Sequence, residues 1–392
     1  MQEIAESTRF LAMNGKKEMH NVKRKKRSLK KWVFPLFTAM GCLIIFIVYS
    51  VVTDTSSVQT QVEVKAPEQP TEQKQAEEEK ETAITISAAG DFTLGWDETY
   101  AYNGSLPDEA AKNGLAYFVE KFDGIFQKDD VTMVNLEGPL TNATEKAVKK
   151  FRFKGDPAYA QILTLGGIEA VNLANNHSFD YLQKGYDDTI ATLQQNKIVY
   201  FGYDDQYITT VKGVKIGVLG YEGWDDTPET RAVVETNIKK LRDRGVQIVV
   251  VHFHWGNERQ YVPNASQKTL AYYTIDSGAD LIVGHHPHVL QGIEEYKGKF
   301  IVYSLGNFMF GGNKNPADKD TLVFQQTFYL KGDKLTDRKQ INVVPFSISS
   351  VPHRNNYQPL PLTGSEAERV KNKIIDASNQ ISGSDWLRYE VK

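Results

Sequence analysis

In Asp280-Leu-Ile-Val-Gly284-His285-His286-Pro287-His288, an apolar run that closes on a glycine is followed at once by three histidines. The run reads as a buried strand, and the Gly and Pro mark where it opens into a loop. In locally extended backbone alternate side chains share a face, which puts His286 and His288 on one side and His285 on the other. A lone histidine there would read as a satisfied core residue. Two imidazoles on one face, with a third beside them, have the spacing to grip one or two metal ions.

Apolar β-like runs of the same kind recur at Ala83-Ile-Thr-Ile-Ser-Ala-Ala-Gly90 and at 131–136, 169–173, 197–202, 215–221, 247–253 and 300–305. Amphipathic helical stretches at 108–127, 182–196, 229–245 and 265–278 lie between most of them. Strands alternating with helices of that length specify an α/β layered domain. Val211-Lys-Gly-Val-Lys215 has the chemistry of a hairpin turn, and 320–345 alternates as antiparallel strands do, so the sheet is mixed. From Glu366 to Ile381 the apolar residues fall at helical spacing, which predicts a last helix packed back on the domain.

Metal-competent side chains stand at the end of one strand after another: Asp91, then Asn135 and Glu137, Asn176 and His177, His252 and His254, and the three histidines. In an α/β sheet such ends line a single edge. Of the eight histidines, seven lie beyond the N-terminal tail, and of these only His353 falls outside the set. Chance placement would scatter them. Asn135 and Glu137 share a face, where Glu137 can bridge two ions or simply cap a helix. Asn176 can ligate through its amide oxygen while His177 protonates a leaving group; the competing reading is a polar turn. Asp180 either orients the His177 ring or caps the helix that starts nearby. His254 is the better ligand candidate of its pair because it lies further from the buried strand than His252. Arg152 and Lys154 alternate with aromatics in Phe151-Arg-Phe-Lys-Gly155 and share a face that suits an anionic substrate, or is merely an exposed strand face. Asn307, in Tyr303-Ser-Leu-Gly306-Asn307-Phe308, ends another strand in a turn that can support the site.

The 392 residues carry 46 Lys and Arg against 49 Asp and Glu, a net charge of -3. The basic residues crowd the N-terminus instead of forming a binding face, so nucleic acid is excluded as a partner. Cys42 is the single cysteine, leaving the folded region without a disulfide or a thiolate ligand. Any metal must be held by His, Asp, Glu and Asn. Residues 1–31 read as a basic cytoplasmic tail. Residues 32–52 have no charge and the length to span a bilayer as a helix, with Trp32 and Tyr49 near its edges. Basic residues on the N-terminal side alone place the remainder outside the cell membrane. A cleaved leader is the alternative at Ala39-Met-Gly-Cys42, yet Leu43-Ile-Ile-Phe-Ile-Val48 continues the apolar run past it. Residues 53–82, rich in Thr, Gln, Glu, Lys and Pro, form a stalk; 83–382 form the folded domain and 383–392 a tail.

Taken in order, Gly90-Asp91, Asn135-Leu-Glu137, Asn175-Asn176-His177, His252-Phe-His254-Trp-Gly256, Gly284-His285-His286-Pro287-His288 and Ser304-Leu-Gly306-Asn307-Phe308 resemble the CapA family of poly-γ-glutamate capsule biosynthesis proteins. The resemblance runs over residues 83–382 and includes Pro361-Leu-Thr-Gly-Ser-Glu-Ala-Glu-Arg369. It implies a role in capsule synthesis or export, with capsule synthase or export subunits as partners. CapA-like domains in turn resemble the calcineurin-like metallophosphoesterases. That resemblance implies a four-layer α/β/β/α sandwich with mixed sheets and a site for one or two divalent ions; a His, carboxylate and Asn donor set suits Mn, Fe or Zn. By it, Asp91 binds the first metal, Glu137 bridges, Asn176 and His254 bind the second, His286 and His288 complete the pair, and His177 is the general acid. The implied substrate is a phosphoester or an amide-linked anionic polymer, and a non-catalytic scaffold or polymer-binding role is the alternative. Two positions depart from the pattern: Thr93 stands where a histidine is expected, and the bridging residue is Glu instead of Asp.

Overall fold

The alternation Thr82-Ala-Ile-Thr-Ile-Ser-Ala88 forms the central strand β1 (Glu81–Thr93), which turns Ile84, Ile86 and Ala88 into a buried core. The computed structural model describes residues 81–391. The basic tail, the expected anchor at 32–52 with Cys42, and all but the last two residues of the stalk lie outside them. Those last two already belong to β1. Among the described residues no helix is long and apolar enough to cross a membrane.

Two mixed sheets organise the chain. The first has 8 strands: β14 (Leu360–Pro361), β13 (Lys334–Ser347), β12 (Asp320–Lys331), β1, β2 (Val131–Leu136), β3 (Ala170–Asn172) and β4 (Val199–Phe201) in that order, with β11 (Asn307–Phe310) against the end of β1. From β1 to β4 the strands run parallel, while β12 and β13 pair antiparallel. The second has 6 strands: β5 (Tyr207–Val211), β6 (Val214–Glu222), β7 (Ile248–His254), β8 (Leu281–His285), β10 (Lys299–Val302) and β9 (Ile293–Tyr296). Its inner four are parallel and its two edges antiparallel. The expected hairpin joins β5 to β6 through Lys212 and Gly213, both at positive φ, the backbone a tight hairpin turn requires.

The sheets face each other. Ile86, Met133 and Ala170 of the first and Val218, Val250 and Val283 of the second meet in one core. Helices cover the outer faces. Leu106 of α1 (Leu106–Asn113), Ile162 of α2 (Ala160–Gly166) and Leu193 of α3 (Leu182–Gln195) pack with Val134 and Val171 of the first sheet. Ile238 of α4 (Pro228–Asp243) and Leu270 of α5 (Ala265–Asp276) pack with Val249, Val251 and Ile282 of the second. The layers are therefore helix, sheet, sheet, helix. Thr227 caps α4, and Asn264 with Gln267 forms a capping box at the start of α5, which fixes where each begins.

Two expectations change and one, the last helix packed back on the domain, holds. The helix expected over 108–127 is α1 plus two short 3-10 turns, because Gly114 and Gly124 take positive φ and break the periodicity between them. The last helix, α6 (Gly364–Asn379), sends Val370 and Ile374 into the core between the sheets. The stretch expected as a C-terminal tail continues that packing: Asp385–Tyr389 form a 3-10 turn whose Trp386 is fully buried and donates to Ser378 Oγ at 3.1 Å.

Trp386→Ala removes the largest side chain at that end of the core. It should cost about 3–5 kcal/mol in urea unfolding, against little for a change at the exposed Val391.

Candidate metal centre

Where the two sheets open, the apolar rows of the core give way to polar ones. On the second sheet Glu222, His254 and His285 are cross-strand partners, one row above Gly220, His252 and Val283. On the first, Asp91, Asn135 and Asn172 are aligned across β1, β2 and β3. The sequence-predicted residues thus converge from the strand ends of two facing sheets and not from the edge of one.

A close backbone contact sets the position of Asp91. A Cβ on Gly90 would collide with the carbonyl oxygen of Gly306, so only glycine lets β1 approach there. Asp91 N then donates to Gly306 O at 3.0 Å, and Asp91 lies opposite Asn307. His286 and His288 have φ of 95° and 57°, a left-handed backbone in place of the expected extended one. This corrects the alternation: His285 does not point away. All three histidines reach the centre, with His285 Nδ1 3.4 Å from Asp91 Oδ1 and the His286 and His288 rings 5.7 Å apart.

Two donor sets share one carboxylate. Asp91, Glu137 and His288 form the first and Glu137, His254 and His286 the second, each with one atom per residue within 4.8 Å of the others. Glu137 Oε1 lies 3.7 Å from both His254 Nε2 and His288 Nε2. Asn176 Oδ1 is 2.9 Å from His254 Nε2, which adds an amide oxygen to the second set. Asn135 donates from its amide nitrogen to Asp91 Oδ1 at 2.9 Å and accepts on its oxygen from Asn172 and Asn175. Asn307 Oδ1 meets His288 Nδ1 at 2.9 Å. One row deeper, His252 Nδ1 meets His285 Nε2 at 3.0 Å, so His252 lies behind the donor set.

The electrostatics fit a cation. Burial pushes Asp91 up, but the contacts from His285 and His288 outweigh it and hold it well below the usual carboxylate range. Glu137 goes the other way, raised by burial and by the charge of Asp91. Burial drives His254 and His286 down, His286 to about 3, so both rings are neutral and have a lone pair to offer. His288 overcomes its burial through Glu137 and Asp91 and rises to about 10. Glu137 Oε1 and His286 Nδ1 are buried without a hydrogen-bond partner among the described residues. Unmatched buried acceptors are costly unless something positive sits between them, and this cluster is compatible with a divalent metal.

At the rim, His177 Nδ1 faces Asp180 Oδ2 at 2.7 Å, leaving Nε2 to point elsewhere. Asp180 orients the ring and does not cap α3, whose first residue is preceded by Tyr181 with no side-chain cap. Lys149 holds this carboxylate from the other side at 2.8 Å. Phe153 packs on the His177 ring with centroids 4.4 Å apart. Of the two basic residues beside it, Lys154 is tied to Glu98 at 2.8 Å and to the carbonyl oxygen of Ala143, while the backbone N–H of Arg152 donates to Asp97 and its side-chain Nε is buried without a hydrogen-bond partner among the described residues. Thr93, in the place of the missing imidazole, donates to Glu137 Oε2 at 3.2 Å.

The sequence reading missed Lys149, Phe153, Tyr203, Glu222 and Trp224. Glu222 stands at the end of a parallel strand, the same position that singled out the others. Lys149 lies in an irregular loop with no periodic signal.

Residues 85–312 match the family model described as bacterial capsule synthesis protein PGA_cap. The chain belongs to that family. It is 29% identical over 336 residues to the capsule biosynthesis protein CapA of Bacillus anthracis, spanning 79% of this chain and 76% of that one. It is 33% identical over 248 residues to the PGA biosynthesis protein CapA of Bacillus subtilis, spanning 58% and 63%. Among solved structures, one described as a novel phosphatase of Mycoplasma pneumoniae is similar at 15% identity and a TM-score of 0.42, over 68% of this chain and 95% of that one.

Glu137→Gln keeps the shape and removes the shared charge. With chelator present its stability should stay close to that of the wild type, since the burial cost of the charge and the repulsion with Asp91 go together with the attraction to His288. With divalent metal at a hundredfold over Kd, the wild type should gain about 2.7 kcal/mol and the variant almost nothing, read by thermal unfolding.

Proposed function

We propose that this CapA-family chain is a divalent-cation-dependent hydrolase of capsule polymer metabolism, acting on an anionic substrate, either a phosphoester or an amide-linked polymer. The observation that supports it most is the pair of donor sets joined at Glu137, with Glu137 Oε1 and His286 Nδ1 both buried and unmatched. Asp91, Glu137 and His288 would hold one ion, and Glu137, His254, His286 and Asn176 the other. Imidazole, carboxylate and amide donors suit Mn, Fe or Zn. Bound there, such ions would polarise the substrate oxygen and supply a nucleophile from water at neutral pH.

The chain's own groups do the rest. Asn135 and Asn307 fix the ligands Asp91 and His288, and Asp180, itself held by Lys149, accepts from His177 Nδ1 and fixes the ring so that Nε2, once it has taken a proton from water, can pass it to the leaving group. The uncharged run at 32–52, with basic residues before it, supports a single-pass anchor that keeps the N-terminus in the cytoplasm and the domain outside, beside the synthesis or export subunits.

Thr93 favours a second reading. An imidazole missing at the first position leaves that ion held by fewer nitrogen donors, as a scaffold or polymer-binding component of a capsule complex could tolerate.

The full-length chain should carry about two divalent ions and cleave a generic phosphodiester or poly-γ-glutamate, and His286→Ala should lose both metal and turnover. Absence of bound metal together with absence of turnover would overturn the hydrolase. A metal-free His286→Ala chain that still supports capsule assembly in cells would favour the scaffold.

A further inference from the structure

Glu222 ends β6 as the cross-strand partner of His254, and its carboxylate accepts from two groups at once. Trp224 Nε1 donates to Oε2 at 2.7 Å, and the Tyr203 hydroxyl lies 2.7 Å from Oε1. Each partner leads back to the metal centre by a different route. The Trp224 indole meets the His286 ring at 4.7 Å and 84°, and the His254 ring at 5.6 Å and 89°, so one indole walls both imidazoles edge-on. Trp224 is only part-buried. The Tyr203 hydroxyl lies 3.0 Å from the carbonyl oxygen of Asn175. Asn175 in turn donates from its side chain to Leu136 O at 2.9 Å and accepts from His177 N at 3.1 Å. It thereby anchors the loop that carries Asn176 and His177.

We propose that Glu222 is a positioning residue for the metal centre, a strut that fixes both the Trp224 wall against His254 and His286 and the loop that presents Asn176. This rests on the divalent-cation reading given above. Neither Glu222 nor Trp224 belongs to either donor set, so their effect on a bound ion acts through the side chains they hold. Outer partners of this kind set ligand orientation and commonly change metal affinity 10–100-fold, in round figures about the range expected here.

Proton bookkeeping makes the proposal specific. Tyr203 has one hydroxyl proton and faces two acceptors, Glu222 Oε1 and Asn175 O. An amide at 222 can accept from Trp224 on its oxygen and donate to Tyr203 from its nitrogen, releasing the tyrosine proton for Asn175. Glu222→Gln should therefore keep the strut, whereas Glu222→Ala cuts it on both sides and Tyr203→Phe on one.

The test uses the full-length chain, stripped with chelator and titrated with Mn2+ or Zn2+ by calorimetry, with tryptophan emission followed in parallel. The wild type should bind, and Mn2+ should quench an emission component that is absent from Trp224→Phe. Glu222→Ala should bind the ion of the Glu137, His254 and His286 set about 10–100-fold more weakly, with Tyr203→Phe moving the same way and Glu222→Gln close to wild type. Tyr203→Phe, which removes one oxygen, carries the test if the alanine variant does not fold. A wild type that binds while Glu222→Ala and Tyr203→Phe both bind equally well overturns the strut alone. A wild type that binds no divalent ion overturns the cation reading and the strut with it.

Discussion

Two carboxylates, Asp91 and Glu137, are fully buried within one cluster of imidazoles, and the rest of the site is arranged around that placement. Like charges in a low-dielectric space repel, and burial alone raises the energy of both ions. The protein separates their behaviour. Asp91 is surrounded by donors, with Asn135 and the backbone N–H of His286 added to the neighbouring histidines, and is held ionised. Among the described residues the Glu137 carboxylate receives only the Thr93 hydroxyl and is left with an unmatched oxygen. That asymmetry makes Glu137 the natural meeting point for positive charge supplied from outside the chain.

The layered fold explains how such a cluster can exist so deep. Each parallel strand brings its C-terminal end to the same level, and two facing sheets double the number of ends that converge. Below that level the space is filled by Val, Ile, Met and Phe. Above it, Asn135, Asn172 and Asn175 form a connected set of amides that consumes hydrogen-bonding capacity within the first sheet. The imidazoles of the second sheet are thereby left facing Asp91 and Glu137.

Much of this was legible from residue patterning. The strand positions, the hairpin at 212–213 and the gathering of Asp91, Glu137, Asn176, His254, His286 and His288 follow from apolar runs that end in polar residues. What patterning could not supply was local backbone hand. Alternation assumes extended φ and ψ, and the left-handed residues at His286 and His288 break that assumption where it mattered for His285. The pairing of Lys154 with Glu98, far away in the chain, is likewise invisible to alternation. Long-range partners such as Lys149 with Asp180, 31 positions apart, carry no periodic signature at all.

The placement of Trp386 bears on the order in which the molecule can form. β1, at the start of the described chain, lies at the centre of the first sheet and pairs antiparallel with β12, more than two hundred residues later. The space between the sheets is filled at one end by α6 and then by the Trp386 indole that follows it. Contacts of that sequence separation are made late, because a long loop must close before any of them is formed. A chain in which α6 and the Asp385–Tyr389 turn have not docked therefore keeps an open, partly apolar cleft between the sheets. Because both sheets bound that cleft, its closure depends on both being in place.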